Sequence, residues 1–430
     1  MQGEIFVKVF FTGMIDKIGR NAAVTCITQP LWAIPFYLYN SYAALYMINQ
    51  GITEGQVGVV NSVSFIVKAA AAVFAGYIIN RLGRKTSIIM FDVFSWVIPY
   101  FLWSIATNYW QFIAASLFSG LGIVNTIAWN CILVEDTRPE HRIFVFNFNE
   151  IIIIIAGFLT PVSGLLISKF TLVPAIRGVC VFGLICMVTL EIVRFFLLKE
   201  TGIGREKMLE AKSIKTNVRL FTGFWKTAGF IVRNRLLTVL FVLSIAVNFC
   251  FIINNLYYFP YLTSHLKYNQ AGVSLFPSLT SVVSLLMLFF IIPRIKDRDK
   301  FLLAGFLLYF VGALILIFAP GGLIKVSIIM VLTNVVFWAV SRTITNILLS
   351  TRIANAVDDH ARADIMSFYN IFSIVCMFPA GIIGGSLYEI SPRGPFYFIS
   401  VVYLIGFAAF FLLLQIGRRK EAADKLGESI

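Results

Sequence analysis

Gly76-Tyr-Ile-Ile-Asn80-Arg81-Leu-Gly83-Arg84-Lys85 is the stretch whose reading decides the fold. One long apolar run, starting near Gln56, ends in it, and another starts at Ser87. Three cations and a turn glycine, with no acid, thus lie between two segments of membrane-spanning length. Short loops rich in Lys and Arg are retained on the cytoplasmic side during insertion, so this is a tight cytoplasmic turn. Gly83 supplies a backbone free to take positive φ where the chain reverses.

The composition agrees. Of 430 residues, 59% are hydrophobic, 15% aromatic and only 13% charged, and the mean hydropathy is +0.86. A soluble domain carries about a quarter charged residues. The chain therefore reads as an all-α integral membrane protein whose first partner is the lipid bilayer. The net charge of +14 is carried by loops, where topology explains it, and implies no nucleic acid. Cys26, Cys131, Cys180, Cys186, Cys250 and Cys376 lie in or beside apolar runs without metal-ligand spacing, so free thiols and no metal are expected. Residues 1–20 mix Lys8, Asp16, Lys17 and Arg20 with apolar positions and read as an interfacial lead-in, not as a removed signal peptide.

A span needs about 20 mainly apolar residues. Segments meeting that test are 22–49, 56–79, 86–106, 109–134, 143–168 and 178–198, then 237–259, 272–292, 301–319, 326–350, 365–388 and 396–416. The expected organisation is a cytoplasmic lead-in (1–21), a six-helix half (22–198), a polar linker (199–236), a second six-helix half (237–416) and a tail (417–430). Within the linker, the run from Arg219 through Trp225 and Lys226 to Phe230 mixes cations with Phe and Trp, which suits an interfacial helix. With both termini inside, cations favour the cytoplasmic segments over the outer loops by about five to one. Only Lys68, Arg194 and Arg342 fall within spans. The halves also echo one another. Glu135-Asp136 and Arg142 before the fifth span match Asp358-Asp359 and Arg362 before the eleventh, and the opening turn has a worn copy from Pro293 to Lys300.

At the opening stretch the chain resembles the major facilitator superfamily (MFS) of secondary transporters. Gly76, Arg81, Gly83, Arg84 and Lys85 match the family's loop after its second helix, and Asn80 stands where the family usually has Asp. The resemblance implies twelve transmembrane helices in two pseudo-symmetric six-helix halves, and a central cavity lined by the first, fourth, seventh and tenth. In the family the acid at position 80 approaches the N-terminus of the eleventh helix. Asn80 carries no charge there, which leaves Arg84 with Asp136 or Glu135 as the remaining pair. The run Gly157-x-x-x-Pro161-x-x-Gly164 partly matches an antiporter pattern but has Thr160 where that pattern has glycine.

No nucleotide-binding loop, nucleophile elbow or zinc-helix motif is present, so neither an enzyme nor a cofactor is expected. Polar groups inside spans are costly unless paired or wet, and they mark the candidate site. They are Gln29, Tyr37 and Asn40 in the first span, Asn61, Ser64 and Lys68 in the second, and Asn125, Thr126, Trp129 and Asn130 in the fourth. The seventh has Ser244, Asn248, Asn255 and Tyr258, and the tenth has Asn334, Trp338, Ser341, Arg342 and Thr345. A lone Asn or Ser serves equally as helix–helix glue; stripes on the four helices that the resemblance makes cavity-lining favour a solute site. Amides with Trp129, Trp338 and Tyr258 suit a sugar or glycoside, whereas Lys68 and Arg342 suit an organic anion. Asp92 reads as structural, and Glu191 with Arg194, at i and i+3, as a local pair.

The expected function is secondary active transport of a small polar solute across the plasma membrane by a monomer, with proton coupling. The alternatives are a proton-driven exporter of amphiphilic compounds and a non-transporting sensor on a transporter fold. Glu150 and Arg342 each lie roughly eight residues inside the cytoplasmic ends of their helices. They are expected to pair when that side closes and to couple a proton to the cycle. The topology is tested by cysteines introduced at Gly83 and Lys212. Both should react with an impermeant thiol reagent only from the cytoplasmic face; labelling from outside overturns the orientation.

Overall fold

The computed structural model describes residues 15, 18–213, 228–295, 297–320, 324–357 and 362–427. The expected linker helix falls mostly, and the Asp358–His360 repeat wholly, outside those residues. Among the described residues, eleven helices are long and apolar enough to cross a membrane. In chain order they are Glu54–Leu82, Arg84–Ile105, Tyr109–Glu135, Glu140–Phe170, Leu172–Leu197, Arg235–His265, Gly272–Arg294, Arg298–Ile317, Val326–Ile353, Phe368–Ile390 and Gly394–Ile416. The helix Arg20–Asn40 precedes them; Asn21, Gln29, Pro30 and Pro35 dilute its hydropathy, and it completes the twelve as the first span. The chain is an all-α, multi-pass membrane protein.

Prolines shape these helices. Pro99 withholds the N–H that would reach Ser95, and a π-helical turn, Val93–Val97, absorbs the fault in the third span. Similar turns, Tyr261–His265 and Met287–Ile291, lie beside Pro260 and Pro293. In the fifth span Pro161 frees the Gly157 carbonyl, which accepts from the Thr160 hydroxyl at 2.9 Å instead. The departure from the antiporter pattern at Thr160 thus has a local explanation. Reciprocal capping boxes, Thr53 with Gln56 and Asn108 with Gln111, start the second and fourth spans.

Two compact units emerge, one of residues 1–217 with 269–278 and the other of residues 218–268 with 279–430. Close helix approach in both relies on carbonyl acceptors and small residues. In the first, Ser116 donates to the Val60 carbonyl, and a side chain at Gly120 would meet Val67 at 2.5 Å. Gly164 admits residues 269–278: a Cβ there would lie 2.4 Å from the Ala271 carbonyl oxygen. In the second, Ser341 donates to the Gly305 carbonyl at 2.6 Å, and Asn334 to the Gly312 carbonyl at 2.9 Å.

The opening stretch organises one end of the first unit. Gly83, at φ 87° and ψ 163°, joins the second and third spans in a conformation open essentially to glycine alone. Gly83 has no side chain with which to cap the helix that begins at Arg84. Glu200, just past the sixth span, does so from a distance, accepting from the Arg84 and Lys85 backbone N–H groups at 2.9 and 3.0 Å. Arg84 pairs with Glu135 at 3.1 Å and donates to Asn80 at 3.0 Å. Of the two acids expected for Arg84, Glu135 is therefore its partner. Asp136 accepts instead from Asn21 at 2.5 Å, and Asn21 also exchanges two 2.9 Å bonds with the Lys199 backbone. Thr201 donates to Glu135 and accepts from the Gly204 N–H, capping a short helix, Gly202–Ser213. In the second unit the equivalent link has its charges reversed: Asp299, opening the ninth span, pairs with Arg352 at the end of the tenth. There the cap is local, with Asp297 accepting from the Lys300 N–H at 3.2 Å.

Gly83→Ala should destabilise the protein by about 1–3 kcal/mol, because backbone strain adds to a clash with Glu200 and Met208. Thermal unfolding of the purified protein measures it. A wild-type melting temperature would mean that the turn does not require glycine.

Candidate functional site

The second unit gathers one dense polar and aromatic cluster. Arg342 lies half-buried on the tenth span, its guanidinium 4.1 Å from the centre of the Phe251 ring on the seventh. Such stacking stabilises a cation more strongly as water is withdrawn. Both Nη atoms donate to a single oxygen, Asn248 Oδ1, at 3.2 Å, while the Asn248 amide donates to the Ser244 carbonyl at 3.0 Å. The hydroxyls of Tyr403, Tyr309 and Tyr369 lie close to Arg342, and no carboxylate pairs with it among the described residues. Tyr369 is held by a 2.6 Å bond with Ser244, and the Tyr309 and Tyr403 rings stack at 3.9 Å. One turn before Arg342, Trp338 lies parallel to Phe251 at 6.1 Å. Trp338 Nε1 and the Tyr309 hydroxyl are buried neighbours, and neither has a well-formed hydrogen bond to any other group among the described residues. The cluster offers guanidinium, indole and phenol hydrogens, and an acceptor-rich group is what they lack.

Other expected residues of this unit lie around it. Tyr258 donates to Asn334 Oδ1 at 3.1 Å, which joins the seventh and tenth spans, and Asn255 is exposed. Asn334 also bonds Gly312, so its amide acts as interhelical glue.

In the first unit the expected residues divide. Lys68 is half-buried; its ammonium lies 4.9 Å from the Phe65 ring centre and forms no ion pair among the described residues. Gln29 is buried, Tyr37 and Asn40 are half-buried, and Tyr37 lies close enough to Glu150 to be influenced by its charge. Trp129 packs against two apolar clusters, one around Ile79 and Ile132 and the other around Cys26 and Leu133, and so serves the core. Asn130 is exposed and donates to its own helix at Thr126, 2.9 Å away. Asn125 turns to the third span and donates to Asp92 at 2.5 Å. Arg194 also reaches across, to Asp92 at 2.5 Å, while Glu191 stands 4.0 Å from it. The local i, i+3 pair expected there is present at 4.0 Å, and the long Arg194 side chain adds a closer bond that joins the third and sixth spans. Glu150 is exposed.

Residues that sequence reading did not single out carry much of the organisation. Asn21, Glu200 and Thr201 looked like ordinary polar residues at span ends, and only tertiary contact reveals their roles. Phe251, Tyr309, Tyr369 and Tyr403 were hidden among the 15% aromatic residues. Phe251 stands seven residues before Tyr258 and three after Asn248, a helical spacing that could have flagged it.

The family described as Major Facilitator Superfamily matches residues 31–380. Over 146 residues the chain is 27% identical to a protein of Bacillus subtilis (strain 168) described as an uncharacterized MFS-type transporter, YqjV. That alignment spans 33% of this chain and 35% of the relative, so the chain matches about a third of the relative's length. Among solved structures, the nucleoside transporter NupG superposes with a TM-score of 0.68 at 13% identity, covering 92% of this chain and 99% of that one. A POT family transporter in complex with 5-aminolevulinic acid gives 0.67 at 13%, covering 93% and 96%. A peptide transporter POT in complex with sulfate gives 0.67 at 14%, covering 93% and 94%. At these identities the likeness to solved structures is one of fold.

Tyr309→Phe removes a buried hydroxyl without a well-formed hydrogen bond among the described residues, where Trp338 is its neighbour, and such a group costs about 1–3 kcal/mol. The solute-free variant should melt no lower than wild type. A drop of several degrees would mean that the hydroxyl has a structural partner.

Proposed function

The chain belongs to the Major Facilitator Superfamily, and we propose that it is a secondary transporter of a small organic solute that carries an acidic group. It is a transporter and not an enzyme. Its monomer moves the solute across the plasma membrane by alternating access, with protons as the coupling ion and both termini in the cytoplasm.

The observation that carries this reading is Arg342. A guanidinium at membrane depth costs about 2.5–3.5 kcal/mol on insertion scales. Here it faces an aromatic ring, one amide oxygen and tyrosine hydroxyls, without a carboxylate among the described residues. An incoming carboxylate or phosphate supplies the missing charge, and it accepts from Trp338 and Tyr309 as well. A sugar would satisfy the hydrogen bonds but leave the charge unanswered, so the anion is the better match. Lys68 offers a second cation without an ion pair among the described residues. Solved neighbours of the same fold carry small polar solutes, including a nucleoside transporter and one bound to 5-aminolevulinic acid, which supports a solute of that size. In the antiporter-like run, Gly164 also serves close packing against residues 269–278.

Counterflow into proteoliposomes, run with small carboxylates, nucleosides and neutral sugars, tests the proposal. Arg342→Gln should lose about a hundredfold or more in uptake of the acidic solute, as expected when one partner of a desolvated pair is removed. Asn248→Asp should abolish uptake without unfolding the protein, because it places an internal carboxylate on the guanidinium. Neutral-sugar transport that survives Arg342→Gln overturns the anion reading. The same panel addresses Glu150, whose pairing with Arg342 during the cycle we retain as a proposal. Glu150→Arg and Arg342→Glu should each impair exchange, and the double swap should recover part of it. A double mutant no better than the worse single mutant dismisses the pairing.

A further inference from the structure

The third, fourth and sixth spans of the first unit enclose a charged cluster that solute binding does not use. Arg194 Nη1 lies 2.5 Å from Asp92 Oδ2 and 4.0 Å from Glu191 Oε1. Asn125 Nδ2 donates to the other Asp92 oxygen at 2.5 Å. Asp92, Glu191 and Arg194 are 1%, 7% and 3% exposed. Asp92 ends the helix Arg84–Asp92 and adjoins the π-helical turn Val93–Val97, a kind of irregularity that recurs at functional sites.

The donors are unevenly shared. Both Asp92 oxygens receive one, whereas the two Glu191 oxygens are buried and receive none among the described residues. An ionised carboxylate so placed would have neither water nor a hydrogen bond, and under such conditions a group neutralises instead. The charge count agrees, since two carboxylates against one guanidinium balance only when one proton is bound.

Other charged groups on the surrounding elements are engaged elsewhere. From the first span, Arg20 donates to the Leu197 carbonyl at 2.9 Å, and from the third, Lys85 donates to the Phe195 carbonyl at 2.7 Å. Arg84 of the third span and Glu135 of the fourth hold each other. Tyr39, Tyr46 and Tyr100 beside the sixth span, and Cys180 and Cys186 on it, are neutral in their ordinary forms.

We propose that Asp92, Glu191 and Arg194 form a proton-binding site inside the first unit, with one proton held on the Glu191 carboxyl at neutral pH. Binding converts that carboxylate to the acid and breaks no covalent bond. Asp92 stays ionised between Arg194 and Asn125. Release of the proton leaves an excess negative charge that Arg194 alone can answer, so Arg194 turns from Asp92 toward Glu191 and loosens the third span from the sixth.

Infrared spectroscopy of the full chain in lipid tests this. Wild type should show a protonated-carboxyl stretch at neutral pH that Glu191→Gln removes. Asp92→Asn should remove it too, because a single acid then faces a single guanidinium and ionises. Absence of the band from wild type, or its persistence in either variant, overturns the proposal. Where Asp92→Asn does not yield folded protein, the melting temperature decides. The folded state keeps a proton that the unfolded chain releases in the ordinary carboxylate range, so wild-type stability should fall as pH rises from that range through neutrality until the folded site deprotonates, and Glu191→Gln should lack that component. Equal slopes across neutral pH in the two proteins overturn it.

Discussion

A charged side chain between membrane-spanning helices has no water to fall back on, so its position is governed by where a partner can reach it. The strongest constraint in the first unit is the junction at Gly83, where Arg84 meets Glu135 and Glu200 caps the helix that Arg84 begins. Asn21, Asp136 and Thr201 fasten the ends of the first, fourth and sixth spans to the same place. The second unit answers the same demand with the signs exchanged, Asp299 against Arg352. What the repeat conserves is a link between successive spans; which span supplies the cation is free to change.

Set against these matched pairs, Arg342 and Lys68 stand out because nothing of opposite sign accompanies them among the described residues. Phe251 and Asn248 hold Arg342 in a fixed attitude without discharging it, which is the condition a receptor for anions requires. The aromatic ring excludes solvent and tolerates the charge, and the amide fixes its rotation.

Span number and the basic turn were legible because hydropathy and loop charge are local properties of the sequence. The stripes on the seventh and tenth spans were legible as faces, and Asn248, Trp338 and Arg342 do share one cluster. Partner choice was less accessible. Asn125 and Asn130 look alike on the fourth span, yet one donates across to Asp92 and the other to its own helix. Trp129 could have lined a cavity and instead joins two apolar clusters. Arg194 keeps the acid three residues away at 4.0 Å and takes a closer one from a different span. In each case the side chain's reach and the angle between helices decide, and neither is written in periodicity.

The distant cap on the third span also has a meaning in time. Arg84 and Glu200 are 116 residues apart, so the turn at Gly83 is made long before the carboxylate that secures it exists. At about 5–20 residues per second, that gap is on the order of ten seconds of synthesis. During it the amide groups at Arg84 and Lys85 must rely on water or lipid headgroups. Glu200 emerges directly behind the sixth span, so its arrival coincides with completion of the half. The same carboxylate that caps a helix thus acts as a seal, closing the first unit only after its last helix has been made.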